Sequence, residues 1–259
     1  MTLQYASDLH LEFRENRELL LAHPLQPVAD TLVLAGDILL FSELRAYKPF
    51  LRELGRRFPH VFWVPGNHEY YGSDIAERSG VLDEEVVLNV RLVNNIAVLH
   101  QGARLLFSTL WSPVSHMNEG AVRRNMSDYH VIRYGNGPLM PGHTTRLHEE
   151  CRAFLEREFH QADNTSTVVI THHVPTLMHY PEQYKGDMLN EAFAVELHDL
   201  ILAAQPAAWI YGHHHSNTPE FTIGRTRMLT NQLGYVKAGE HRAFDQAAVI
   251  RVQKDRPIL

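Results

Sequence analysis

Thr31-Leu32-Val33-Leu34-Ala35-Gly36-Asp37 is the stretch that decides the fold class. An aliphatic and β-branched run stops at a glycine, and a carboxylate follows at once. Unbroken apolar sequence suits a parallel strand covered on both faces, whereas a strand with one wet face alternates. Asp37 then stands just past the strand's carboxyl end, where open α/β sheets hold their ligands. Taken singly, such an aspartate is more often a turn residue. Recurrence along the chain is what gives it weight.

Working outward, four further apolar runs end in metal-binding side chains. Leu3 to Ala6 leads to Ser7-Asp8-Leu9-His10, and Val61-Phe62-Trp63-Val64 leads to Pro65-Gly66-Asn67-His68-Glu69. Thr167-Val168-Val169-Ile170 leads to Thr171-His172-His173, and Ala207-Ala208-Trp209-Ile210-Tyr211 leads to Gly212-His213-His214-His215. Residues two apart on an extended segment face one way. Asp8 therefore pairs with His10 and His213 with His215, while Leu9 points inward and His214 away. An isolated Asp-x-His is mostly a turn or surface pair, and a lone Gly-His-x-His is a metal site only about half the time. Five such ends in order are another matter. Strands of one parallel sheet bring their carboxyl ends to one edge, so these groups should converge. The set offers carboxylates, one amide and several imidazoles, with no thiolate, which suits Mn, Fe or Zn. It exceeds what one ion needs. Two ions sharing a carboxylate account for it, and ions about 3.5–4 Å apart are a known device for phosphoryl displacement.

The remaining chain reads as a frame for those strands. Glu12 to Asp30 is a loop or short helix, broken by Pro24 and Pro27, and Ser42 to Arg57 holds one or two helices, with Ser42 a cap and Pro49 in a first turn. Asp74 and Glu77 resemble a capping box, predicting a helix to about residue 89. Arg91 to Trp111 predicts strands joined by tight turns. Ser112 to Gly142 loses periodicity, and so long a loop is commonly functional. Its His116, Arg123, Arg124, Asn125, Asp128, His130 and Arg133 could reach phosphate oxygens, or could be ordinary surface charges. Helical spacing returns from His143 to His160, where Cys151 falls on the apolar stripe as a core filler. Asn190 could cap a helix bearing Leu197, Leu200 and Ile201, and Thr226 to Thr230 and Ala247 to Val252 read as closing strands.

Composition bounds the function classes. The chain has 259 residues, 44% of them hydrophobic and 21% charged, within the range of a globular α/β protein. We read it as a single domain, residues 1–259, with 112–142 a loop or cap insertion near the active site. One cysteine allows no intrachain disulfide and, with no signal-peptide pattern at the start, fits a cytoplasmic protein. No apolar run approaches the roughly 18 residues of a membrane span. A net charge of −6 argues against broad binding to duplex nucleic acid or anionic membranes. Histidine, with 18 copies, is the outlier.

Asp8-x-His10, Gly36-Asp37, Gly66-Asn67-His68-Glu69, Thr171-His172 and Gly212-His213-x-His215 resemble the ordered motifs of the calcineurin-like metallophosphoesterase superfamily. The resemblance frames most of the chain. It implies a four-layer αββα sandwich with a dinuclear site at the carboxyl ends of the central strands. Carried over by motif, Asp8, His10 and His215 would hold one ion, and Asn67, His172 and His213 the other, with Asp37 between them. His68 would face the substrate and protonate the leaving oxygen, while a hydroxide bridging the ions attacks phosphorus. Two departures stand out. The second aspartate that many members carry is replaced by Ile38-Leu39-Leu40-Phe41, and His172-His173 leaves two candidate ligands, of which His172 directly follows the strand. Glu69 could orient the site or merely enter a helix. The expected substrate is a small phosphate monoester or diester, nucleotide-derived ones included. A nuclease for short or single-stranded nucleic acid and a non-catalytic scaffold are the alternatives.

Overall fold

The computed structural model describes residues 1–161 and 165–252. Its strands in chain order are β1 (Thr2–Ala6), β2 (Thr31–Ala35), β3 (His60–Val64), β4 (Leu82–Val87), β5 (Val90–Asn94), β6 (Ile96–His100) and β7 (Ala103–Ser108). There follow β8 (Arg133–Tyr134), β9 (Gly137–Pro138), β10 (Thr167–Thr171), β11 (Ala208–Tyr211), β12 (Phe221–Ile223), β13 (Thr226–Thr230) and β14 (Val249–Arg251). The helices are α1 (Arg14–Ala22), α2 (Leu44–Arg57), α3 (Glu119–Asn125), α4 (Asp128–Val131), α5 (Pro141–Phe159) and α6 (His198–Ala204).

Two six-stranded sheets form, in the orders β14-β1-β2-β3-β5-β4 and β12-β13-β11-β10-β7-β6. β1, β2, β3 and β5 run parallel in the first, and β7, β10, β11 and β13 in the second. The opening stretch shows why the sheets stack. Leu32 and Leu34 pack outward with Leu51, Leu54 and Phe58 around α2, while Val33 and Ala35 face Phe107, Val168 and Ile170 of the other sheet. The rings of Phe62 and Phe107 stack across that seam, 5.2 Å apart. On the far side Val169 and Trp209 meet Leu147, Cys151, Phe154 and Leu155 of α5. Helix, sheet, sheet and helix make the four layers of an αββα sandwich. Full burial of each large apolar side chain contributes about 1.5–3 kcal/mol, so both faces of both sheets hold the layers together.

Several local expectations give way. The predicted helix after Asp74 is a single 3-10 turn, Ile75–Glu77, where the Asp74 side chain accepts from the Ala76 N–H. Residues 82–87 instead pair antiparallel with β5, through a turn in which Asn89 has φ 68°. Sheet pairing outweighs a local capping signal there. Ser42 caps nothing; its hydroxyl donates to the Tyr71 carbonyl, and Pro49 lies inside α2 rather than in its first turn. Asn190 sits within a 3-10 helix, Met188–Ala192, capped by Asp187, and α6 starts only at His198. The segment 112–142 is not one loop, since it contains α3, α4 and the β8–β9 ribbon.

Two assumptions about the strand ends also need correction. The five motif-bearing strands do not share one sheet: β1, β2 and β3 belong to the first, β10 and β11 to the second. Nor are the motif segments extended. Asp8, His10, Asp37, His213 and His215 all have left-handed backbones, with φ of 55°, 46°, 55°, 80° and 50°. Side chains two apart converge through these strained turns, not through strand alternation.

Candidate metal centre and active site

The carboxyl ends of both sheets meet across a seam that glycine keeps narrow. A Cβ on Gly36, itself at φ 88°, would collide with the His172 imidazole, and one on Gly66 would collide with the Asp37 carboxylate. His172 can therefore cross from the second sheet and donate from Nδ1 to the Ala35 carbonyl at 2.9 Å. The loops after β2 and β3 are tied together by Glu69, whose carboxylate accepts from the N–H groups of Asp37, Ile38 and Gly66 and from Trp63 Nε1, at 2.7–2.9 Å. Both roles open to Glu69 are met, since it lies in the 3-10 turn His68–Tyr70 while its carboxylate ties the loops together.

Two groups of ligand atoms result, and all seven residues expected there are brought together. In the first, His10 Nε2 lies 2.9 Å from His215 Nε2 and 3.8 Å from Asp37 Oδ2, and His215 Nε2 lies 3.4 Å from Asp8 Oδ1. In the second, His172 Nε2 lies 3.1 Å from Asn67 Oδ1, 3.1 Å from His213 Nδ1 and 3.4 Å from Asp37 Oδ1. Asp37 turns one oxygen to each group. His173 directs Nδ1 to the Thr109 carbonyl, 3.2 Å away, and its ring packs on His213, so a ring nitrogen of His173 also stands within 4.8 Å of those of His172 and His213. His214 meets the Gln232 side chain and packs against Tyr180 and Tyr211.

The chemistry of these donors fits cations. Each imidazole spends one nitrogen outside the cluster: His10 Nδ1 on Glu12, His215 Nδ1 on Glu240, His172 Nδ1 on Ala35 and His213 Nε2 on the Ala192 carbonyl. Those acceptors hold the ring protons, so the inward nitrogens present lone pairs to one another and to carboxylate oxygens. Such an arrangement repels itself without positive charge between. Ligands about 2.0–2.2 Å from an ion stand roughly 3–3.6 Å apart, and the separations here, 2.9–3.8 Å, bracket that range.

The electrostatics carry the same message. Burial alone would raise Asp37, yet the neighbouring His172 and His68 hold its carboxyl well below the usual range. Burial would lower His172 and His215, but Asp37 pushes the first up to about 9, and Asp8 with Glu240 pushes the second up to about 10. Protonated His172 and His215 thus balance the buried carboxylates around them. Burial, reinforced by the charge of Asp37, pushes Glu69 up to about 8.

His68 stands beside the ligand groups. Its N–H donates to Asp37 Oδ1 at 2.9 Å, its Nδ1 meets Glu12 Oε1 at 2.8 Å, and its Nε2 lies 3.3 Å from the Tyr235 hydroxyl. The ring stacks on Tyr71, with centroids 4.0 Å apart. Burial would lower its pKa, but Asp37 and Glu12 together raise it. A cleft of 350 Å³ opens over His68, Asp37, His213 and His215.

Several residues around the site were missed in the sequence. Glu12 extends Asp8-x-His10 by one more step, a signal that could have been taken up. Glu240 and Tyr235 come from a distant segment without a motif. Asp128 was noted only as one of many polar residues, yet it is buried and accepts from Asn67 Nδ2 at 2.9 Å and the Tyr71 hydroxyl at 2.7 Å. That contact turns the Asn67 carbonyl oxygen toward His172. Of the other polar residues noted in 112–142, Asn125 lines the cleft, whereas His116, Arg123, Arg124, His130 and Arg133 are exposed and do not.

A model of the calcineurin-like phosphoesterase family matches residues 1–217. The chain belongs to that family. As a member it is a metal-dependent phosphoric ester hydrolase, with the buried His and Asp clusters described above as candidate metal ligands. An uncharacterized protein of Acanthamoeba polyphaga mimivirus is 28% identical over 279 residues, spanning 97% of both chains. Phosphopantetheinyl hydrolase from Mycobacterium tuberculosis superposes with a TM-score of 0.69 at 20% identity, covering 93% of this chain and 92% of that one. A dimetal phosphatase from Danio rerio aligns with a TM-score of 0.49 at 17% identity over 90% of this chain and 87% of that one. Among the described residues no helix is long and apolar enough to cross a membrane.

Proposed function

We propose that this phosphoesterase binds one ion through Asp8, His10 and His215 and a second through Asn67, His172 and His213, with Asp37 shared, and hydrolyses small phosphate esters with His68 as general acid. The observation that carries the reading is the division of Asp37, one oxygen in each ligand group. Oxygen and nitrogen donors without thiolate favour Mn, Fe or Zn. Two such ions, held by these residues, would supply Lewis acidity there for water and for phosphoryl oxygens.

The chain's own groups supply the rest. His68 Nε2 faces the cleft, and Glu12 on Nδ1 favours the imidazolium, so a proton is available to a departing alkoxide. Glu12 acts through that ring and through His10, which shares the same carboxylate oxygen. Asp128 keeps the Asn67 amide in one orientation, and Glu69 keeps the Asp37 and Gly66 turns in register. We take residues 1–259 as one domain, with 112–142 a cap whose Asn125 to Ser127 wall the cleft; residues 162–164 and 253–259 lie outside the described residues. A cytoplasmic setting is consistent with a lone buried cysteine.

The nuclease alternative has less support. Among the described residues no lysine or arginine lines the cleft, so a charged nucleic-acid backbone has nothing there to follow. The test is metal analysis coupled to a panel of nucleotides, cyclic nucleotides, dinucleotides, phospho-sugars and pantetheinyl phosphates. We expect about two ions per chain on the two-metal model and turnover that chelation abolishes. Metal-saturated protein that cleaves none of these esters would refute the reading.

A further inference from the structure

The cleft walls differ from those of a site built to seize phosphate. Beyond the ligand groups and His68, they come from Tyr71, Asn125 to Ser127, six residues between Tyr180 and Phe193, and Tyr235 with Glu240. Aromatic and apolar faces dominate. Tyr184 is 42% exposed, Leu189 and Phe193 are partly buried, and Phe193 stacks on His213 with centroids 4.7 Å apart. The polar groups among them, Asn125, Ser127 and Asn190, are neutral, and the charged ones, Asp187 and Glu240, are acidic. Lys185, next to Tyr184, is paired with Glu182 instead.

Charge counting points the same way. Asp8, Glu12, Asp37 and Glu240 place four carboxylates on or directly behind the first ligand group and its shared edge. With Asp128 behind the second group there are five, which two divalent ions and the His68 imidazolium would match. A monoester dianion would bring excess negative charge with no lysine or arginine in the lining to meet it, whereas a diester carries only one charge. Cleft volume sets the size of the group that can enter. At 350 Å³ it falls at the lower end of small-molecule sites and suits one or two rings rather than a polymer.

Resting on the hydrolytic reading above, we infer that the preferred substrate is a phosphodiester whose retained ester group, the one that stays on phosphorus, is uncharged and carries a planar aromatic ring seated between Tyr184, Leu189 and Phe193. The ring gains dispersion and stacking against these side chains, and the neutral amides and hydroxyl nearby accept polar edges without demanding charge.

Zinc- or manganese-loaded full-length protein tests this with diesters that share 4-nitrophenolate as leaving group. The second ester is methyl, phenyl, carboxyphenyl or thymidine 5′. We expect kcat/KM for the phenyl and thymidine esters to exceed that of the methyl ester about tenfold or more, as base stacking does elsewhere. The carboxyphenyl ester and the monoester 4-nitrophenyl phosphate should fall below the phenyl ester. Tyr184→Ala, an exposed position, should shrink the phenyl-to-methyl ratio, and Asp187→Lys should raise the monoester relative to the diesters. Equal rates for methyl and phenyl, or a preference for the monoester, would overturn the inference. A separate measurement keeps the two readings apart: calorimetric binding of methyl phenyl phosphate and of dimethyl phosphate to zinc-loaded His68→Ala. Tighter binding of the aryl ester without turnover in the unsubstituted enzyme would leave the ring site standing and remove the hydrolytic reading. Equal affinities would remove the ring site alone.

Discussion

The two ligand groups share Asp37 but are supported in opposite ways. Behind the first, Glu12 and Glu240 accept the outer ring protons of His10 and His215. Behind the second, the backbone carbonyls of Ala35 and Ala192 serve His172 and His213, and the one carboxylate, Asp128, holds the neutral Asn67. A carboxylate raises the basicity of an imidazole ligand more than a carbonyl does, and it adds charge that attracts the ion. The first ion should accordingly be held more tightly, and through replaceable side chains. The second depends on how closely the two sheets approach, because its acceptors are main chain.

The largest expected effect would break the comparison at its shared member. Asp37→Asn should weaken both ions and abolish turnover, whereas His215→Ala should deplete one; metal content after dialysis measures both. Equal partial loss in the two variants would mean that Asp37 is not the shared ligand. Next, His68→Ala should lower kcat by about 10²–10⁴-fold with both ions retained. A loss of metal of similar size would make His68 a ligand rather than an acid. The contrast itself is sharpened by Glu240→Gln and Asp128→Asn, each of which should weaken one ion by about 10–100-fold. Titrations that resolve the two binding steps should show Glu240→Gln acting on the first ion and Asp128→Asn on the second.

Taken per pH unit, the smallest effect is in pH. His172 and His215 are raised to about 9 and about 10 without ions, so each holds a proton at pH 7 that an incoming ion must displace. Metal affinity at each site should therefore rise about tenfold per pH unit above neutrality and level off near those two values. Calorimetry in buffers of different ionisation enthalpy should detect about one proton released per site. Affinity that is flat from pH 6 to 9 would contradict this.

How much was legible follows from the range over which each signal acts. Leu32 and Leu34 pack one way and Val33 and Ala35 the other, so an uninterrupted apolar run sufficed to announce a doubly covered strand. The proposed ligands Asp8, His10, Asp37, Asn67, His172, His213 and His215 could be picked out because each lies within four residues of the end of such a run. Asp74 misled, because its turn forms but the next segment gains more by pairing with β5 than by extending a helix. Glu240, Tyr235 and Asp128 had no local pattern to betray them. Their meaning lies in partners 25, 167 and 61 residues away, His215, His68 and Asn67.

The chain's own order of residues thus determined the fold class, the strand ends and the donor types gathered there, since burial on two faces and donor type are properties of short segments. Only the tertiary structure decided that the motif strands divide between two sheets and that left-handed turns aim the ligands. It also decided which of His172 and His173 crosses to Ala35, and that the cleft is aromatic and free of arginine among the described residues. These depend on how closely two surfaces approach, a distance set by glycines and packed side chains far apart in sequence.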